Sequence, residues 1–191
     1  MANQPRKAKH RKSTWDWLRI SPTKTPPIPD LFSDLSKFEH RSEQILLIKA
    51  YCENFIANKN LLQMYIEAVY HPMVILDLPP EVPPYHSPYL DFDDAPSDIS
   101  KALKRIKYFV KGNQFYIENK TKREALFIRT LEEMHKENAE LYLSILFKEI
   151  DESVYPTVND ALFFEAYPEW FPEGYQPKKT HLELTLQEPS P

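Results

Sequence analysis

A chain of 191 residues with 42% hydrophobic residues can build one modest core plus tails, and a formal charge of −4 neither demands nor excludes nucleic acid. The single cysteine, Cys52, closes no disulfide within the chain, and the N-terminal MANQPRKAKHRK lacks the apolar run of a secretory signal, so a reducing intracellular compartment is expected. No apolar run approaches the roughly 20 residues that cross a bilayer, which argues against a membrane segment.

Eighteen prolines against two glycines favour extended, proline-stiffened connections over tight glycine turns and count against hairpin-rich β architecture. The prolines cluster at Pro22–Pro29, Pro79–Pro96 and Pro168–Pro191, which divides the chain into a leader (1–29), a single helical domain (30–171) with a Pro-rich loop at 72–96, and a flexible tail (172–191).

Seven Lys or Arg and one Asp fall in residues 1–24, giving the leader a charge of +6. Arg6, Lys7, Lys9, Arg11 and Lys12 form a basic arm, followed at once by Trp15, Trp17, Leu18 and Ile20. Such a pair of tryptophans resembles a short linear anchor for a partner's groove, so Trp15, Trp17 and Leu18 are the candidate partner-binding residues. The alternative is a leader folded back on its own core, and either way the indoles should touch something.

In the first block, Asp34–Phe38 suggests a short helix and Glu43–Phe55 a stronger one capped by Ser42, with Ile45, Ile48 and Cys52 on one face and Leu46 and Leu47 widening it. A helix from about Leu61 to Tyr70 should stop where Pro72 pushes His71 out of the α region. The segment MVILDLPPEVPPYHSPY then reads as an extended stretch lying across the helices. In the second block, Ser97 or Asp98 caps a helix running to about Val110, closed by Gly112. Further helices are expected over Lys120–Met134, over Ala139 to about Lys148, and from a Thr157 cap through Ala166. Together these give an all-α fold, an irregular bundle of about five to seven helices with Pro-rich connections and mobile termini.

From Lys101 to Arg129 nine basic residues face two acidic ones, whereas Thr130–Pro191 carries four basic and thirteen acidic. Lys101, Lys104, Arg105, Tyr108 and Lys111 share one face at helical spacing, which could track phosphates with Tyr108 stacking on a base. Lys120, Lys122 and Arg123 would extend that patch if the next helix starts nearby. A solvated helix face is the plainer reading.

Chemistry-bearing patterns are sparse. His71 and His86 flank the proline loop near Asp77, Asp91, Asp93 and Asp94, but no metal-ligand spacing is present. Glu132 and Glu133 are adjacent on a helix and do not share a face, which disfavours an acid/base dyad. Cys52 reads as a buried structural thiol, and two glycines build no phosphate cradle. No catalytic residue, metal or cofactor is therefore expected, and the chain is read as a non-enzyme. In the tail, HLELTLQ alternates apolar and polar residues and could add a strand to a partner's sheet, although a disordered peptide is the preferred reading.

The order EAVYHPMVILDLPPEVPPY, RIKYFVKG, KREALFIRTLEEMHKENAELYLSI and EAYPEWFP resembles an uncharacterised family of small proteins from large contractile-tailed bacteriophages. The resemblance covers roughly two thirds of the chain and implies a phage origin and a place in the host cytoplasm, with no assigned activity. The leading expectation is a protein–protein interaction or adaptor module engaging a host or phage protein. The alternative is a nucleic-acid-binding accessory protein of phage replication or transcription. Oligomeric state is open.

Overall fold

The computed structural model describes residues 26–54, 56–89 and 94–178, and over these the chain forms seven α-helices. The first, α1 (Ile28–Leu35), starts where Pro29 occupies its first turn, a position that needs no amide hydrogen and suits proline's fixed φ. Ile28, Leu31, Phe32 and Leu35 recur at helical spacing and are buried. The short helix expected at Asp34–Phe38 therefore lies earlier, because the proline cluster begins this helix where it was read as a breaker. Pro26 accepts a hydrogen bond from the Tyr51 hydroxyl at 2.9 Å, so residues 26–29 of the expected leader pack on the domain.

Helix α2 (Arg41–Asn54) begins at His40, whose carbonyl accepts from Glu43 and Gln44, and Ser42 lies inside the helix rather than capping it. Its buried stripe is Leu47, Ile48, Tyr51 and Cys52, while Leu46 points to solvent. Helix α3 (Ile56–Tyr70) starts five residues before the expected Leu61 and buries Leu62, Tyr65, Ile66 and Val69.

The chain then crosses the bundle in extended form, as its prolines predict. Among the described residues no β-strand forms, but Leu76 bridges Val110 and Ser97 bridges Met134 as isolated pairs. Asp98 caps α4 (Ile99–Leu103), accepting from the Lys101 amide at 2.8 Å. The helix expected to run to Val110 ends at Leu103, and a 3-10 turn over Ile106–Tyr108 replaces it. At the break the bonding tightens from i→i+4 to i→i+3, with Ala102 O accepting from Arg105 N and Arg105 O from Tyr108 N, both at 2.9 Å. Beyond it Phe109 O accepts from Asp77 N at 2.9 Å and Tyr108 O from Ile117 N at 3.1 Å. The tighter turn also drives Phe109 into the core, edge-on to Phe127.

Asn119 caps α5 (Lys120–Glu132) through the Lys122 amide, and His135 opens α6 (Lys136–Phe147) by accepting from Glu137 N. Asn159, not the expected Thr157, caps α7 (Asp160–Ala166) through Leu162 N at 3.1 Å. Thr157 instead sits at φ 70, unusual for a β-branched residue, where Gln44 donates to its hydroxyl at 2.6 Å and Arg41 reaches its carbonyl. Two aromatic clusters fill the interior: Phe32 meets Tyr65, Tyr155 and Phe163, and Phe127 joins Phe109 to Tyr142. Beyond Pro172 the chain stays packed as far as Lys178, because Asp160 accepts from the Tyr175 hydroxyl and the Lys178 amide, both at 2.8 Å. No described helix is long and apolar enough to cross a membrane.

Candidate functional site

Trp15, Trp17 and Leu18 lie outside the described residues. The five residues read as a phosphate-tracking face are described, and the break after Leu103 separates them. Lys101 and Lys104 stand exposed on and just after α4, and Lys111 stands exposed beyond the 3-10 turn. Arg105 turns inward: its guanidinium donates to Thr130 Oγ1 at 3.1 Å and Glu133 Oε2 at 2.8 Å. Tyr108 packs edge-on against Phe115, and the Lys107 ammonium lies 4.3 Å from the Phe115 ring centre and 5.3 Å from that of Tyr108. Lys107 and Phe115 were not among the residues singled out from the sequence. Phe115, 47% exposed, joins them only because the loop after Gly112 folds back.

Arg123, a possible extension of the basic patch by sequence, is buried instead. It donates to Asp77 O at 2.7 Å, to Ile117 O at 2.7 Å and to Glu118 O at 3.3 Å, pairs with the Asp77 carboxylate at 2.9 Å, and lies over the Tyr116 ring. Tyr116 donates a hydrogen bond to the same carboxylate. That bond, reinforced by Arg123, holds the Asp77 carboxyl below its ordinary range. Arg123 thus pins the loop 109–118 and the extended segment at Asp77 to α5.

The same pinning shapes a groove. The proline loop from Leu78 to Pro84 stands over α5 and the end of α6, enclosing about 350 Å³. Leu78, Val82, Phe127, Ile128 and Leu146 give it apolar walls. Pro79, Pro83 and Pro84 offer no amide hydrogens, so the loop wall is poor in donors. Glu124 Oε1 is buried, accepts no hydrogen bond among the described residues, and forms an ion pair with Lys120 Nζ at 3.7 Å. Upstream, Met73 and Ile75 are 76% and 67% exposed, and Val82 is 58% exposed on the loop. Lys148 fixes the Met73–Ile75 segment against the end of α6, since its ammonium donates to Ala68, His71 and Val74 carbonyls at 3.1, 2.9 and 3.0 Å. The segment therefore presents large apolar side chains beside the end of the helix that supplies Leu146, with Phe147 also exposed there.

The strongly perturbed groups are absorbed in structure. Burial lowers the Lys148 pKa to about 8, and three carbonyls hold its amine at the end of α3. Burial raises the Cys52 thiol to about 11, which disfavours the thiolate, in keeping with a structural role. His71 Nδ1 accepts from the Met73 amide at 3.2 Å and serves the turn. Among the described residues no cluster of three or more His, Cys, Asp or Glu is arranged to hold a metal ion.

No curated protein and no solved structure matches the chain significantly. A family of unknown function, DUF6433, matches residues 31–152, well over half of the sequence and including every wall of the groove. The chain therefore belongs to that family of unknown function.

Proposed function

We propose that this protein is a non-enzymatic interaction module, an adaptor that docks a host or phage protein in the cytoplasm of an infected bacterium. The groove under the proline loop carries this reading. Its apolar walls and the neighbouring exposed Met73, Ile75 and Phe147 form the kind of surface that marks protein contact sites. The phage setting rests on the resemblance of the EAVYHPMVILDLPPEVPPY and KREALFIRTLEEMHKENAELYLSI segments to small tailed-phage proteins. The test is affinity capture of a tagged full-length chain from infected cells, with and without nuclease, beside the groove variant Val82→Arg. A partner that survives nuclease and is lost with Val82→Arg supports the adaptor. Capture indifferent to Val82→Arg overturns the groove's role.

A nucleic-acid accessory role is the second reading, favoured by one observation: Lys107 lies across the exposed Phe115 and the half-buried Tyr108, with Lys104 and Lys111 nearby in sequence. Stacking on Phe115 with flanking cations suits single-stranded nucleic acid. Binding that falls steeply with salt and is abolished by Phe115→Ala with Lys104→Glu supports it, while salt-insensitive or absent binding sinks it.

A further inference from the structure

We propose that the loop 109–118 is a binding platform for single-stranded nucleic acid, on which a base stacks against Phe115 while Lys107, Lys111 and Lys120 neutralise the flanking phosphates. This rests on the nucleic-acid reading above and gives it a site different from the helical face legible in the sequence. Phe115 is 47% exposed, and the Lys107 ammonium lies 4.3 Å from its ring centre, so an apolar stacking surface and a cation share one spot. Tyr108 backs the same ring edge-on at 6.5 Å.

Two further lysines reach the loop from different elements, and Asp77 marks their position. Its carboxyl is held down first by the Tyr116 hydrogen bond and then by the charges of Arg123, Lys111 and Lys120, so both lysines stand beside it. Lys111 follows the 3-10 turn, Lys120 opens α5, and both are exposed. Tyr116, the neighbour of Phe115, is bonded to the same carboxylate. The nearby acids leave the cationic character in place. Asp77 is paired with Arg123 at 2.9 Å, and Glu124 meets Lys120 at 3.7 Å, where the lysine is 74% exposed and a phosphate can replace the contact. Glu118, the loop's own acid, stands against three lysines. Two members of the sequence-read face are committed elsewhere: Lys101 Nζ donates to Pro96 O at 3.2 Å, and Arg105 to Glu133.

The platform is built before a ligand arrives. Ile117 N donates to Tyr108 O at 3.1 Å, Tyr116 N to Asn113 O at 3.0 Å, and Arg123 to Ile117 O at 2.7 Å, so little ordering accompanies binding. Asn113 Oδ1 accepts from Phe115 N at 3.0 Å, which engages a group that could otherwise read a base edge. Contact through a ring face and phosphates is open to every base, whereas a duplex keeps its base faces covered in the stack.

The experiment titrates the full-length chain into a short fluorescein-labelled oligothymidylate, and into a labelled duplex of the same length, following anisotropy across a salt series. The basic leader adds contacts of its own, so the platform is read from differences between variants. Lys107→Gln, Lys111→Gln and Lys120→Gln should each make the slope of log affinity against log salt shallower by about 0.7, and Lys101→Gln should leave it unchanged. Phe115→Leu should weaken single-strand binding by about ten-fold or more at unchanged slope and leave duplex binding as it was. Circular dichroism confirms the fold of each variant. Single-strand binding indifferent to Phe115→Leu, or a slope unmoved by the three lysine variants, overturns the platform and leaves the nucleic-acid reading to other residues. Absence of binding to either probe at low salt overturns both.

Discussion

The Arg123 guanidinium lies 2.9 Å from the Asp77 carboxylate across 46 residues of sequence, with the arginine buried and the aspartate half exposed. The asymmetry determines what each partner is worth. Arg123 also serves three backbone carbonyls, so Arg123→Met leaves Asp77 O, Ile117 O and Glu118 O without their donor. Hydrogen bonds from a charged group contribute about 1.5–3 kcal/mol each and are not additive, so a loss of about 3 kcal/mol is expected. Asp77→Asn removes one screened ion pair and should cost under about 1 kcal/mol. Urea denaturation of both variants checks the ratio, and equal costs would mean that the ion pair, not the carbonyl network, holds the loop.

Lys148 occupies the left-handed region at φ 58, closing α6 while its ammonium holds the end of α3. Lys148→Met fits the space but leaves three carbonyls without that donor, and a loss of about 1–3 kcal/mol at pH 7 is expected. The pH dependence has a definite sign. Folding lowers this pKa from 10.5 to about 8, so between those values the unfolded chain binds the proton more tightly. The wild-type's Lys148 term therefore adds stability as pH rises from about 8 toward 10.5, and Lys148→Met should lack that rise. Thermal melts of the pair across that window give the comparison.

What the sequence shows about the fold follows from how local each determinant is. The stripes of α5 and α6 and the cap at Asp98 depend on residues a few positions apart, and those elements lie where their patterns put them. The stripe Ile99, Ala102, Ile106 and Phe109 is equally regular, yet the helix stops at Leu103 and continues as a 3-10 turn, after which Asp77 and Ile117 bond the carbonyls of Phe109 and Tyr108 from a distance. Arg105 shows the same limit: by spacing it belongs to a basic face, and Glu133 at the C-terminal end of α5 turns it inward. The groove was invisible for that reason, since its walls come from residues 78–84, from α5 and from Leu146.

Glu133 receives Arg105 at 2.8 Å and Arg129 at 2.8 Å. Partial burial pulls its carboxyl upward, but hydrogen bonds and charge from the two arginines outweigh that and hold it below the ordinary 4.5. A depressed carboxyl stabilises the fold above the unfolded value and loses that contribution as pH falls through the folded one. Glu133→Gln should therefore be less stable than wild-type at pH 7, and the gap should close in acid below about pH 4. A gap that persists at pH 3 would assign the effect to packing instead of charge.

Asn58 lies on the core stripe of α3 four residues before Leu62, fully buried, and among the described residues neither its amide nitrogen nor its oxygen has a hydrogen-bond partner. Burying an amide without partners costs about 1–3 kcal/mol on mutational scales, and an apolar side chain of similar size does not carry that cost. Asn58→Leu should accordingly raise the unfolding midpoint, by a few degrees for each kcal/mol gained in a domain of this size. Overpacking works against the gain, because leucine is branched where asparagine is planar. Asn58→Ala separates the two effects: it removes the same amide and opens a small cavity. The expected order of stability is Asn58→Leu above wild-type, with Asn58→Ala near wild-type. If both variants melt well below wild-type, the amide is contributing a hydrogen bond in solution and the buried-polar argument fails.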